Sequence, residues 1–78
     1  MAIHYRKNNA VFSDVVSVDD AETLLEWLQT KKSVRVDFSA CTHVHPANLQ
    51  VLMVAKPAVS AWPRDIGLAN WLLSALRA

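Results

Sequence analysis

Three side chains near the middle of the chain are of types that bind metals or act as nucleophiles and bases: Cys41, His43 and His45. Side chains alternate along an extended strand, so residues spaced by two would lie on one face. A thiolate beside two imidazoles suits zinc or copper. No fourth ligand is evident, although His4 could approach in space. The ordinary alternative is that Cys41 and His43 are partly buried packing residues and His45 caps a helix or lies on the surface; we therefore expect no metal and no cofactor.

Cys41 and His43 could also form a nucleophile and its base, with Asp37 orienting the base. Such a pair needs the base within hydrogen-bonding reach of the thiolate and a third, orienting group. Nothing in the sequence supplies an oxyanion hole or a defined pocket, and the single glycine cannot form a glycine-rich phosphate loop. We therefore expect no enzymatic activity.

The composition is that of one small folded domain. The chain has 78 residues, of which 53% are hydrophobic and 19% charged, so neither disorder nor a second domain is expected. A net charge of +1 gives no basic footprint for nucleic acid, and a single cysteine excludes an internal disulfide. No signal peptide is evident, and the apolar run Val51–Ala55 is too short to cross a bilayer. We expect a cytoplasmic protein without membrane insertion.

Apolar residues at every second position predict strands, and apolar residues at helical spacing predict helices. Together these patterns divide residues 1–78 into the elements of a single α/β domain. The predicted order is strand, strand, helix, strand, helix, short strand, helix. These elements lie at Ile3–Lys7, Ala10–Val16, Asp19–Lys31 and Ser33–Ser39, from Pro46 until Pro57, at Ala58–Trp62, and from Asp65 or Ile66 onwards. Strands that alternate with helices after a first hairpin predict a mixed sheet with helices packed against it.

Local signals set several of the predicted ends. Asn8-Asn9 suits a tight hairpin turn, because asparagine tolerates positive φ. The change of face near Ser13-Asp14 indicates a bulge or the end of the strand. Asp19, with the glutamate three residues further on, predicts a capping box for the first helix. The second helix is apolar nearly all round, so it should be largely buried or packed on both sides.

A strand, a loop and the start of a helix follow one another without a gap in the middle of the chain. In order they are Val36-Asp37-Phe38-Ser39, Cys41-Thr42-His43-Val44 and His45-Pro46-Ala47-Asn48-Leu49. The segment resembles the STAS domain of anti-sigma-factor antagonists, which also occurs in sulfate transporters and in lipid-transport and chemotaxis modules. The resemblance implies a mixed β-sheet with helices packed against it, in the order β-β-α-β-α-β-α, lacking the family's final strand and helix.

The loop differs from the family's at the position that is phosphorylated. The family's Asp-Ser-Ser-Gly is His45-Pro46-Ala47-Asn48 here, and Pro46 stands where a kinase that is also the binding partner phosphorylates the first serine. Since proline has no hydroxyl, the resemblance implies a non-enzymatic regulatory module that binds a protein without a serine-phosphate switch. The implied partner is a kinase-type anti-sigma factor, a sensor or a transporter component.

The implied docking surface is the loop together with the exposed side of the second helix: His43, His45, Pro46, Ala47, Asn48 and Gln50. Histidine titrates near neutrality, so His45 could make recognition pH-sensitive. Two alternatives stay open. One is a homo-oligomeric structural subunit, such as a homodimer joined through the missing sheet edge or a tryptophan-bearing helix. The other is a small metal-binding protein that uses the cysteine–histidine set named above.

The chain is rich in tryptophan for its length, with Trp27, Trp62 and Trp71. Large aromatic side chains pack cores, and tryptophan is also enriched at the centres of protein interfaces. The sequence therefore leaves open, for each of the three tryptophans, whether it lies in the core or at an interface.

Overall fold

In the computed structural model, which describes residues 2–31 and 33–77, strands alternate with helices after an initial hairpin. The strands are β1 (Ile3–Tyr5), β2 (Asn9–Val16), β3 (Arg35–Val44) and β4 (Ala58–Ala61). The helices are α1 (Ala21–Thr30), α2 (Pro46–Ala55) and α3 (Ile66–Arg77), with a single 3₁₀ turn at Val18–Asp20 before α1. The predicted α/β class is confirmed.

The strands form one mixed sheet in the order β1-β2-β3-β4. β1 pairs with β2 in antiparallel fashion, whereas β2 pairs with β3, and β3 with β4, in parallel fashion. Apolar side chains of one sheet face and of all three helices form a single core. Its fully buried large members are Phe12, Val16, Leu24, Val36, Phe38, Val44, Leu52 and Leu72. The opposite sheet face carries exposed side chains such as His4 and Arg35, so the helices form one layer on one side.

The pairing of β2 with β3 is interrupted, because β3 carries extra residues. Between the pairs Val11–Asp37 and Val15–His43, β2 advances by 15 − 11 = 4 residues and β3 by 43 − 37 = 6. Asp14 in β2 has a positive φ of 54°. The irregularity predicted near Ser13-Asp14 is thus confirmed. Such insertions change which side chains face the core.

A side-chain hydrogen bond marks the place where β3 leaves its regular pattern. The Oδ1 atom of Asp37 accepts from the backbone N–H of Ser39 at 2.8 Å. This bond is the main reason why the pKa of Asp37 lies below its ordinary value. Beyond it the buried positions of β3 are Cys41 and Val44, whereas Val36 and Phe38 alternate regularly before it. β3 also continues through residues that were predicted to form a loop.

The hairpin turn lies one residue earlier than predicted. Arg6 N–H donates to the Asn9 carbonyl at 2.7 Å, and Asn9 already pairs with Arg35 in the sheet. The tight turn is therefore at Lys7-Asn8, and neither asparagine has positive φ. The register follows from the buried pair Ile3–Phe12 rather than from the turn residues.

The cap at the start of α1 also differs from the prediction. The chain enters the helix through the 3₁₀ turn, and the carboxylate of Asp20 accepts from the backbone N–H of Ser17 at 3.1 Å and from its hydroxyl at 3.4 Å. The predicted pairing of Asp19 with Glu22 is wrong, because the extra turn moves the start of the helical segment upstream.

Of the two alternatives predicted for α2, packing on both sides is confirmed, whereas burial of most of the helix is wrong. Its buried residues are Asn48, Leu49 and Leu52, whereas Met53 is 40% and Val54 79% exposed. α2 packs beside α1 and α3 in the single helical layer, and the exposure of Met53 and Val54 shows that no other described element covers its outer side. The helix ends at a left-handed Lys56, whose N–H donates to the Leu52 carbonyl at 2.8 Å.

Tyr5, at the end of β1, is held in an apolar setting. Its ring lies 5.3 Å from that of Trp27, and its buried hydroxyl has no hydrogen-bond partner among the described residues. Burial, and secondarily the negative charge of Asp20, raise the pKa of Tyr5 to about 12. The neutral phenol is thus the form that the fold favours.

Titration of this tyrosine gives a direct check, because it is the only one in the chain. Tyrosinate absorbance should appear near pH 12 in the folded protein and near pH 10 in urea. Because the folded-state pKa is raised, its contribution to stability is fully present below the unfolded pKa and is lost as pH rises through the folded value. Tyr5→Phe serves as the blank. Equal midpoints with and without urea would show that the phenol is not buried as described.

Candidate functional site

The junction between β3 and α2 is fixed by bonds to the end of β2. Val16 and Val44 pair at the last position of the parallel ladder, and both are fully buried. The next residue, His45, donates its backbone N–H to the Val16 carbonyl at 2.9 Å. The start of α2 is therefore tied to the sheet and does not behave as a free loop.

His45 is the N-cap of α2. Its Nδ1 accepts from the N–H of Ala47 at 3.0 Å, so this nitrogen carries no proton in the capped form. The N–H groups of Asn48 and Leu49 donate to the His45 carbonyl at 2.9 and 3.3 Å. Pro46, the first helical residue, has no N–H. The backbone donors that a helix N-terminus usually offers to a phosphate are thus already used or missing.

Asn48 is not on the exposed side of α2, contrary to the expectation. Its side chain is 0% exposed, and its Nδ2 donates to the Ser17 carbonyl at 2.6 Å. Its Oδ1 has no partner among the described residues. Because this bond joins α2 to the segment between β2 and α1, Asn48 positions the helix and is not available to contact another protein.

The other predicted docking residues divide by exposure. His43, Pro46 and Gln50 are exposed, whereas His45 and Ala47 are half-buried. Pro46 and Gln50 are one helical turn apart, and the same face continues to Met53 and Val54. We call these four residues, Pro46, Gln50, Met53 and Val54, the α2 stripe.

The sequence did not single out Met53 and Val54. A helix that is apolar on all sides gives no periodic signal for the face that points outward. The only signal in the sequence was that α2 carries more apolar residues than contact with one face of a sheet can bury. The large apolar side chains that stay exposed are Val15, Val18, Met53, Val54, Trp62, Ile66 and Trp71.

Cys41 and His43 do not share a face. The irregular pairing turns Cys41 inward, where it is 3% exposed, and leaves His43 outside. The thiol of Cys41 donates to the His43 carbonyl at 3.4 Å. Burial raises the pKa of Cys41 above its ordinary value, and the charge of Asp14 adds to this. Within residues 2–31 and 33–77, no three histidine, cysteine or acidic side chains come close enough to hold a metal ion.

The tryptophans have different settings. Trp27 is half-buried against Tyr5. Trp62 is 38% exposed and stacks on Phe38, with ring centroids 6.4 Å apart. Trp71 is 39% exposed on α3. One tryptophan thus packs against the core, and two keep substantial surface open.

In comparisons with protein families, curated proteins and solved structures, no family model, protein or structure matches this chain. The helices of the described part are all too short or too polar to traverse a lipid bilayer.

Replacement of the capping imidazole should destabilise the fold moderately. His45→Ala leaves the Ala47 N–H without its acceptor, and loss of an N-cap costs about 1 kcal/mol. His45→Asn restores an acceptor at the cap and is the matched control. Urea denaturation followed by circular dichroism measures the free energy of unfolding. An Asn variant as unstable as the Ala variant would contradict the capping role.

The chain's single thiol should be slow to react in the folded protein. Cys41 is buried and its pKa is raised, so the reactive thiolate is scarce and shielded. Reaction with a colorimetric disulfide reagent at pH 8 should be at least about a hundredfold slower in buffer than in urea, since it requires opening of the core. Equal rates in the two solvents would contradict this burial and reopen Cys41 as a nucleophile or ligand.

Proposed function

We propose that this chain is a non-enzymatic protein-interaction module of the STAS kind that binds its partner through the α2 stripe. The observation that carries the proposal is the exposure of Val54 at 79% and Met53 at 40% on a helix whose other side is in the core. Exposed apolar residues grouped on one element mark interaction sites more often than scattered ones do.

The stripe has the composition of a helical docking face. Val54 and Met53 supply apolar area, and methionine adapts to the shape of a partner. Pro46 and Gln50 extend the face towards the β3–α2 junction, where the resemblance places recognition. Exposed His43 lies beside that end and completes the surface. Asn48 is removed from the predicted set, because it is buried.

The geometry of the junction supports recognition without a phosphate switch. Pro46 lacks a hydroxyl, and the first N–H groups of α2 are already bonded to His45. A phosphate at this helix end would therefore find no free main-chain donor in the first turn. The proposed partner, a kinase-type anti-sigma factor, a sensor or a transporter component, would bind the apolar surface itself.

The STAS-like arrangement is part of the same proposal. It is supported by the antiparallel first pair, the parallel pairs that follow, and an α2 that begins directly after the central strand. In this arrangement β4 is the edge of the sheet where the family has a further strand. No cluster of ligands in the described residues favours the metal-binding alternative.

The test places a photo-crosslinking amino acid at Gln50 and identifies the protein that is captured in cells. Binding of that purified protein is then measured with Val54→Glu and with Ile66→Glu. Ile66 is 76% exposed, so the two changes are matched in exposure. A charge in the stripe should weaken binding by about tenfold or more, whereas the control should not, and both variants should keep the parent's stability.

Three outcomes would contradict the proposal. The first is equal binding by the Val54 variant. The second is capture of another copy of this chain, which favours the homodimer. The third is phosphate in the peptide that covers residues 41–50 of the recovered protein, since the exposed hydroxyl of Thr42 would then be the switch.

A further inference from the structure

β3 is longer than the strand that covers its outer side. β4 pairs with β3 only at Arg35, Val36 and Asp37, whereas β3 continues to Val44. After β4 the chain turns away towards α3. A groove remains between the second half of β3 and the segment that follows β4.

The groove has two adjoining parts along this edge. Its first part lies between Ser39–Thr42 and the side chains of Arg64 and Asp65. Its second part lies between Thr42–Val44 and the start of α3, where Leu68 and Trp71 form the wall. Thr42 and Asp65 belong to both parts. We call this site, lined by Ala40 to Val44 on one side and by Arg64, Asp65, Gly67, Leu68 and Trp71 on the other, the β3 groove.

Main-chain groups line one wall of the β3 groove. On the other side of β3, Ala40, Cys41, His43 and Val44 pair with β2. In a parallel ladder, alternate N–H and C=O groups point away from the neighbouring strand. Within the described residues no main-chain hydrogen bond links 40–44 to 62–68. The N–H of Ser39 is taken by Asp37, so the open edge begins at Ala40.

The wall opposite β3 is charged at one end of the groove and apolar at the other. Arg64 and Asp65 are exposed at its near end. Asp65 also caps α3, because its Oδ1 accepts from the Leu68 N–H at 2.8 Å. At the far end Leu68 and Trp71, which is 39% exposed, face Pro46 across the groove. An occupant would meet charge at one end and an aromatic surface at the other.

We propose that the β3 groove binds an extended peptide segment of a partner protein, which adds to β3 as a strand. Its backbone would pair with residues 40–44, and an apolar side chain would rest on Leu68 and Trp71. A strand edge requires a backbone partner, and an extended chain supplies N–H and C=O groups at the matching spacing. This site adjoins the α2 stripe at Pro46 and shares His43 with the surface proposed there, but it does not depend on that stripe being a docking face.

The walls favour a peptide over a second copy of this chain. A strand that belongs to a sheet carries neighbouring strands and packed helices beside it. Arg64, Asp65, Gly67, Leu68 and Trp71 line the groove opposite β3. A strand that brings its neighbouring strands and helices with it would meet these residues, whereas a single extended chain brings no such elements. The occupant should therefore be a linear segment without structure of its own.

The experiment pans a phage-displayed library of random dodecapeptides against the full chain. An enriched peptide is synthesised with a fluorophore, and its affinity is measured by anisotropy. Amide hydrogen exchange with and without the peptide locates the site, and protection is expected at residues 40–44. Peptides that are N-methylated at alternate residues test the backbone pairing directly. One alternate set should lose affinity by about tenfold or more, and the other set should keep it.

Two substitutions on the same helix test the apolar end. Trp71→Ser should weaken binding by about tenfold or more, and Ile66→Ser, which changes an exposed side chain outside the groove, should not. Val54→Glu should bind the peptide with unchanged affinity. The experiment therefore distinguishes a failure of the proposal for the α2 stripe from a failure of the proposal for the β3 groove. If Trp71→Ser does not fold, the N-methylated peptides decide the question on the unaltered protein.

Four results would overturn the proposal: no peptide enriched above the bare matrix, equal affinity for all N-methylated versions, exchange that is unchanged at residues 40–44, or protection that appears with protein concentration alone. Protection that depends on protein concentration alone would show that a second copy of this chain, and not a peptide, pairs with the edge of β3.

Discussion

The extra residues in β3 are the constraint on which the rest of the structure depends. β2 and β3 stay in parallel pairing, but β3 advances further over the same span, and the Asp37–Ser39 hydrogen bond lies at the first irregularity. A bulge of this kind rotates the side chains that follow it. Cys41 and Val44 are therefore in the core, and the strand ends where His45 can bond to the carbonyl of Val16.

From that end point the position of α2 follows. The imidazole of His45 caps the helix, and the buried amide of Asn48 ties it to Ser17. Both bonds fix the rotation of α2 about its axis, so that Leu49 and Leu52 enter the core while Val54 stays outside. A single layer of helices cannot cover both sides of a helix that is apolar all round. The apolar surface of this chain is thus a consequence of how the helix is anchored.

Much of the fold could be predicted from the sequence, because the spacing of apolar residues indicates which face of a strand or helix is buried. The pattern of Val34, Val36 and Phe38 predicted the central strand, and Pro46 predicted the start of α2. The hairpin turn was misplaced, since its register is set by contacts between β1 and β2 rather than by the residues of the turn.

The candidate site was less predictable, because its geometry depends on contacts between distant residues. Spacing by two placed Cys41 and His43 on one face, but an insertion relative to the neighbouring strand separates them. Asn48 has the polarity of a surface residue, yet its amide bonds to a carbonyl that lies 31 positions away in sequence. Neither the insertion in β3 nor the bond between Asn48 and Ser17 can be recognised from the neighbouring residues in the sequence. The capping role of His45 was the ordinary alternative, and the bond to Ala47 bears it out.

The edge strand β4 has a consequence for solubility. It is 4 residues long and lies between Pro57 and Pro63, neither of which can donate a main-chain hydrogen bond. An edge bounded in this way is a poor template for edge-to-edge pairing with a strand of another molecule, the usual route from exposed strands to aggregates. The two prolines therefore limit self-association through this edge of the sheet.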